Sequence, residues 1–160
     1  MSLFSRLSIT QRAPQGGQGA VLLDEQRGEV DRNSDNGRAT GITNKQKEIA
    51  GAVQLKTLKP GDITNIPKKG DTCAIHYEAF TEDEIRNSKT PEPFDSSRSR
   101  DQQFQFRLGT GQVIEGMDVA VSSMSVGQEV EATIPYSYAY SVAGYPPVVP
   151  PRATLIFRME

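Results

Sequence analysis

The stretch from Phe94 to Met124, FDSSRSRDQQFQFRLGTGQVIEGMDVAVSSM, restricts the fold more than any other part of the chain. It opens with an aromatic beside an acid, Phe94 and Asp95. A polar segment containing arginine follows. Phe104, Phe106 and Leu108 then alternate with Gln103, Gln105 and Arg107, which is the period of a half-buried strand. Gly109-Thr110-Gly111 ends that run as a turn. Beyond it, Ile114, Met117, Val121 and Met124 recur at spacings of three and four, one face of a brief helix. Strand, turn and helix start thus bring aromatics, one acid and branched aliphatics close together. That is the material of a small apolar pocket with a few polar groups at its rim. Phe106, Leu108, Val121 and Met124 are expected simply to fill the core.

Several classes of function are poorly matched by the composition. One domain, with an appendage, suits 160 residues. A formal charge of -2 and a pI near 5.5 argue against nucleic acid as a partner. No apolar run reaches the ~20 residues of a membrane span. A single cysteine, Cys73, excludes an internal disulfide, fits a reducing compartment and is read as inert core. No spacing of His, Cys and carboxylates suits a metal, and neither a phosphate-binding glycine loop nor a nucleophile elbow appears. No metal and no cofactor are expected.

Residues 1–50 differ from the rest. They are rich in Gly, Gln, Asn, Asp and Arg, with few positions able to build a core. They read as a disordered or extended arm. Its start, MSLFSRLSITQR, has a faint presequence character, although an ordinary flexible terminus is the preferred reading. Residues 43–50 can form one or two helical turns. Globular composition begins near Ala52, so the domains are drawn as 1–50 and 51–160. Strands are expected over 52–58, 71–80, 104–108, 129–134 and 152–160. In the second, Cys73, Ile75, Tyr77 and Ala79 share a face. In the last, Ala153, Leu155, Phe157 and Met159 do. The charged segment 81–93, with two prolines, reads as a loop. The segment 135–151 holds five prolines and four tyrosines and reads as a long loop curled over the sheet. The fold class is α+β, an antiparallel sheet of about five strands with one short helix.

The blocks VQLKTLKPGD, PKKGDTCAIHY, FDSSRSR, FQFRLGTGQVIEGMD, MSVGQ, YAY and GYPPVVPPRATLIF occur in one order over residues 52–160. In that order they resemble the FKBP family, macrolide-binding immunophilins with peptidyl-prolyl cis-trans isomerase activity. The resemblance implies a curved antiparallel sheet wrapped across a short helix, with the ligand pocket between them. It implies Asp95, Tyr140, Tyr77 and Phe157 as the catalytic set. Phe94, Phe104, Val113, Ile114, Met117, Tyr145, Val148 and Val149 would line the substrate site. Arg100 falls where the family often has an arginine near Asp95. Met117 stands where many members have a tryptophan floor, which implies a looser pocket and weaker binding of rigid macrolides. Tyr145 replaces a common histidine, Gln112 a common acid, and Ser141-Val142 a common glycine-containing sequence.

Rotation about an X-Pro bond breaks no covalent bond. Its barrier, about 18–20 kcal/mol, is lost conjugation, so neither nucleophile nor metal is needed. The implied roles are a proline ring received by Phe104, Val113, Ile114, Met117 and Phe157, and peptide carbonyls held by the Ile114 amide or the Tyr140 hydroxyl. Asp95 either presents its carboxylate to the amide carbonyl carbon or orders Tyr77 and Arg100; both roles stay open. The expected partners are proline-containing protein segments and macrolides such as rapamycin. The competing function is a catalytically weak domain serving as an assembly subunit, anchored in a larger complex through residues 1–50. The expected compartment is cytoplasmic, with an organelle or a cytoskeletal or membrane-associated assembly as alternatives.

Overall fold

A computed structural model describes residues 43–160. The expected arm and presequence-like start, up to residue 42, lie outside the described residues. Helix α1, Asn44–Ala52, comes first. Thr43 and Gln46 form a capping box that satisfies amides at its amino end. Residues 44–50 of the expected arm are therefore helical, and the helix runs past the 50/51 boundary drawn from composition. Ile49, 3% exposed, anchors it in the core.

Five strands form the main antiparallel sheet, in the order β1-β6-β7-β3-β4. They are β1 (Gln54–Lys59), β3 (Tyr77–Thr81), β4 (Asp95–Ser96), β6 (Glu129–Ile134) and β7 (Leu155–Met159). A separate ladder pairs β2 (Thr72–Ile75) with β5 (Phe104–Arg107). Helix α3, Glu115–Ser122, buries Gly116, Met117, Ala120 and Val121 in the cluster formed with the sheet.

The α+β class and five-stranded antiparallel sheet agree with the sequence, while several elements differ. The strand expected over 71–80 is two strands. Its inward phase continues through Ile75, Tyr77 and Ala79, but its partner changes at His76. His76 exchanges backbone hydrogen bonds with Glu160 at 3.0 and 2.9 Å, where β7 takes over from β5. The strand expected over 52–58 begins later, because α1 occupies Ala52. As an edge strand it leaves Leu55 and Leu58 exposed.

The expected loop over 81–93 contains helix α2, Glu82–Asn87. Thr81 caps it by accepting from the Glu84 amide, and Glu82, Asp83 and Glu84 oppose the positive end of its dipole. The same charges that suggested a solvated loop suit that first turn. The fold thus has three α-helices among the described residues where one was expected. Cys73 is half-buried rather than core. No helix among the described residues is long and apolar enough to cross a membrane.

Register explains why the inner face has room for large rings. Phe157 lies between Ala79 on β3 and Ala132 on β6. Two small neighbours leave the space its ring fills, and it is fully buried. On the opposite face Arg158 lies over the Phe80 ring, 5.1 Å from its centroid, and bonds Glu131 at 3.0 Å.

Candidate functional site

Tyr77 begins β3, and Asp95 on β4 pairs with Ala79. Tyr77 and Ala79 share a face, so Asp95 meets Tyr77 on the diagonal of the ladder. The Tyr77 hydroxyl donates to Asp95 Oδ2 at 2.6 Å. Arg100 donates from Nη1 to Asp95 Oδ1 at 2.6 Å and from Nη2 to the Tyr77 hydroxyl at 3.2 Å. The three side chains close a triangle of hydrogen bonds. Burial lowers the Arg100 pKa, and the bonds to Asp95 and Tyr77 outweigh it, leaving it raised. Asp95 is thus bonded to both Tyr77 and Arg100.

Ser97, which the sequence reading did not single out, fixes this corner. It is fully buried. Its amide donates to the Tyr77 carbonyl at 3.0 Å, and its Oγ accepts from the Tyr77 amide at 2.8 Å. Its Oγ also lies 3.2 Å from His76 Nδ1. A serine in a run of polar residues gives no sign of burial; only the β3–β4 pairing reveals it.

The aromatic floor comes from three strands. Phe104, the first residue of β5, meets the Tyr77 ring edge-on with centroids 5.8 Å apart. Phe157 lies 6.2 Å from Tyr77 with its ring tilted. Met117 is buried completely among them, in the first turn of α3. Val113 and Ile114 lead into that helix and are buried in the same cluster. Ile114 is its cap residue, where backbone amides have no acceptor within the helix. Phe94, half-buried, packs against the cluster and donates its amide to Ala79 at 2.8 Å.

The proline-rich loop supplies the remaining wall. A short 3-10 turn, Tyr136–Tyr138, precedes Tyr140. Gly144 accepts a left-handed φ of 65° and passes so near the Pro150 carbonyl that a side chain would collide. The chain then doubles back, with the Tyr145 amide donating to the Val149 carbonyl at 2.8 Å. Tyr140 and Tyr145 come to lie with ring centroids 5.8 Å apart. Val149 is buried, and Tyr145 and Val148 are half-buried against the cluster.

All the expected apolar and aromatic site residues thus belong to one cluster, with Asp95 hydrogen-bonded to Tyr77 at its side. Gln112 faces elsewhere: its Oε1 accepts from the Arg107 amide at 2.8 Å and closes the glycine turn. Within the cluster, the Tyr140 hydroxyl is buried and has no hydrogen-bond partner. Burial raises its pKa above the ordinary phenol range, and the Asp95 charge adds to the effect. Tyr140 therefore presents a neutral donor in an apolar setting. Among the described residues no group of three or more His, Cys, Asp or Glu could hold a metal ion.

Comparison with known proteins identifies the family. The model of the FKBP-type peptidyl-prolyl cis-trans isomerase family matches residues 64–160. FK506-binding protein 1 of Kluyveromyces lactis is 46% identical over 112 residues, covering 70% of this chain and 92% of that protein. The protein of the same name from Eremothecium gossypii matches to the same extent, 46% over 112 residues. That of Candida glabrata is 43% identical over the same length. Family match, relatives and α+β architecture agree: the chain belongs to the FKBP-type peptidyl-prolyl cis-trans isomerases and catalyses cis-trans isomerisation of peptidyl-prolyl bonds.

Proposed function

We propose that the cluster around Tyr77, Asp95, Met117, Tyr140 and Phe157 is where an X-Pro segment is bound and turned. The planar amide is stabilised by conjugation, which gives it a large dipole. Twisting the C–N bond removes that conjugation and leaves a less polar carbonyl and a nitrogen with its own lone pair. An apolar site solvates the planar amide poorly and loses less on reaching the twisted one, so it favours the transition state over the ground state. Phe104, Val113, Ile114, Met117 and Phe157 would take the pyrrolidine ring. Phe94, Tyr145, Val148 and Val149 would flank it and exclude water.

The unpartnered Tyr140 hydroxyl carries this reading. A buried donor left unsatisfied costs about 1–3 kcal/mol. Such a cost is accounted for if a substrate carbonyl accepts from it on binding. The Ile114 amide is the second donor proposed for a peptide carbonyl. Asp95, through Tyr77 and Arg100, acts by holding the aromatic wall in place.

The chemistry extends to macrolides, whose apolar rings carry carbonyls that the same donors could meet. The relatives' name, FK506-binding protein 1, supports the extension. Met117 makes the floor soft and leaves no indole N–H, so we propose weaker binding of rigid macrolides than a tryptophan floor would give. The isomerase domain proposed is 51–160, with α1 leading into it. A single free cysteine among the described residues supports a reducing compartment such as the cytoplasm.

The test is an isomerisation assay on a short X-Pro peptide, with and without rapamycin. Wild-type protein should accelerate exchange, rapamycin should suppress it, and Tyr140→Phe should lower kcat/KM. Unchanged kcat/KM in Tyr140→Phe would overturn the assignment of the site.

A further inference from the structure

We propose that helix α1 is a strap that holds the two hydrogen-bonding sides of the site at a working separation, with Lys45 and Glu48 as positioning residues. The inference rests on the site reading above. The two proposed donors sit on different elements, Ile114 at the start of α3 and Tyr140 beyond the 3-10 turn. Helix α1 reaches both. Lys45 Nζ bonds Glu115 Oε1 at 2.6 Å, one residue after Ile114. The Tyr138 hydroxyl donates to Glu48 Oε1 at 3.2 Å, two residues before Tyr140.

The parts beneath these ties are already close. Gly116 lies so near Tyr138 that an added Cβ would stand 3.1 Å from the Tyr138 carbonyl and press on Ile134. The start of α3 thus lies close to the tyrosine loop at residue 116, and α1 spans that approach from outside. Lys45, Glu48 and Ile49 fall at spacings of three and four, one face of the helix. Ile49 is buried in the same core cluster as Ile114, Met117 and Tyr140. Its burial supplies the attachment, and the two polar ties set where each flank rests. The family match begins at residue 64, so α1 lies outside it.

Lys45 and Glu115 are largely exposed, at 66% and 51% of their side-chain surface. The tie is therefore open to screening by salt, which gives it a signature that packing lacks. The experiment compares full-length wild type, the double variant Lys45→Met/Glu48→Leu, Lys45→Arg and Tyr140→Phe. It uses the peptide isomerisation assay at low and high salt. The double variant should lose about two- to fivefold in kcat/KM at low salt, the scale of a surface interaction. Salt should bring wild type down toward the double variant while leaving the variant nearly unchanged. Lys45→Arg should retain wild-type activity. In the double variant the Ile114 and Tyr140 amide resonances should shift with the fold intact. A double variant equal to wild type at low salt, with Tyr140→Phe impaired, would overturn the strap alone. Indifference of Tyr140→Phe as well would overturn the site reading on which it rests.

Discussion

The Tyr77 hydroxyl donates to Asp95 at 2.6 Å, on the diagonal of the β3–β4 ladder, while Arg100 bonds both. The Asp95 side chain is 6% exposed and that of Arg100 28%. A carboxylate buried this far depends on its partners, and they depend on it. Asp95→Ala should therefore cost about 3 kcal/mol, since it leaves a partly buried guanidinium and a buried hydroxyl without their acceptor. Tyr77→Phe should cost less, about 1–2 kcal/mol. Urea midpoints at unchanged m-value measure both. A double variant less destabilised than the sum would demonstrate the coupling.

Tyr140→Phe should separate stability from activity. Removing a buried hydroxyl that has no partner relieves its desolvation, so the variant should be as stable as wild type or about 1 kcal/mol more stable. Its kcat/KM should fall about tenfold, the worth of one hydrogen bond to substrate. Thermal unfolding and the peptide assay on the same preparation read both quantities.

Tyr140 should also shape the alkaline limit. Its pKa is raised in the folded protein, so the native state holds that proton more tightly than the unfolded chain does. The resulting contribution to stability is complete below the unfolded value of about 10 and is lost as pH rises through the folded one. Tyrosinate absorbance should show a component delayed beyond the ordinary range, smaller in Tyr140→Phe. Stability should fall more gently with pH in that variant.

Ser141 occupies a left-handed backbone conformation with φ of 58°. It stands where the family pattern has a glycine nearby. The left-handed region costs an L-residue about 1–2 kcal/mol. Glycine removes that strain and returns about 0.5–1 kcal/mol as unfolded-state entropy. Ser141→Gly should therefore raise the thermal midpoint, with a net gain of about 0.5–1 kcal/mol, while Ser141→Val should lower it.

Met117 is fully buried in the first turn of α3. Met117→Ala should cost about 2–5 kcal/mol through the cavity it opens. Met117→Leu, similar in volume, should cost under about 1.5 kcal/mol. Calorimetric titration with rapamycin should show affinity falling with Met117→Ala far more than with Met117→Leu.

Much of this was legible in the chain. Alternation put Tyr77, Ala79, Phe157 and Met159 on the inward face, because a side chain's face follows its position along a strand. The spacing of Ile114, Met117 and Val121 gave the buried side of α3. The order of short blocks gave the family, and with it the expectation that Arg100 lies near Asp95, which the hydrogen bond between them meets. The acidic run at 82–84 misled, since the same residues suit either a solvated loop or a helix start, and the cap at Thr81 decided between them.

What the sequence settled by itself is local: which positions turn inward, where glycine and proline stop an element, and which residue types form an apolar site. It could not say that His76 is the residue at which the strand exchanges β5 for β7, nor that Ser97 is buried. Nor could it say that Ala79 and Ala132 clear a space for Phe157, or that Tyr140 ends with its hydroxyl unclaimed. Those facts depend on which segments become neighbours. Periodicity is a property of one strand or helix, whereas pairing, burial and hydrogen-bond satisfaction are properties of two or more brought into contact.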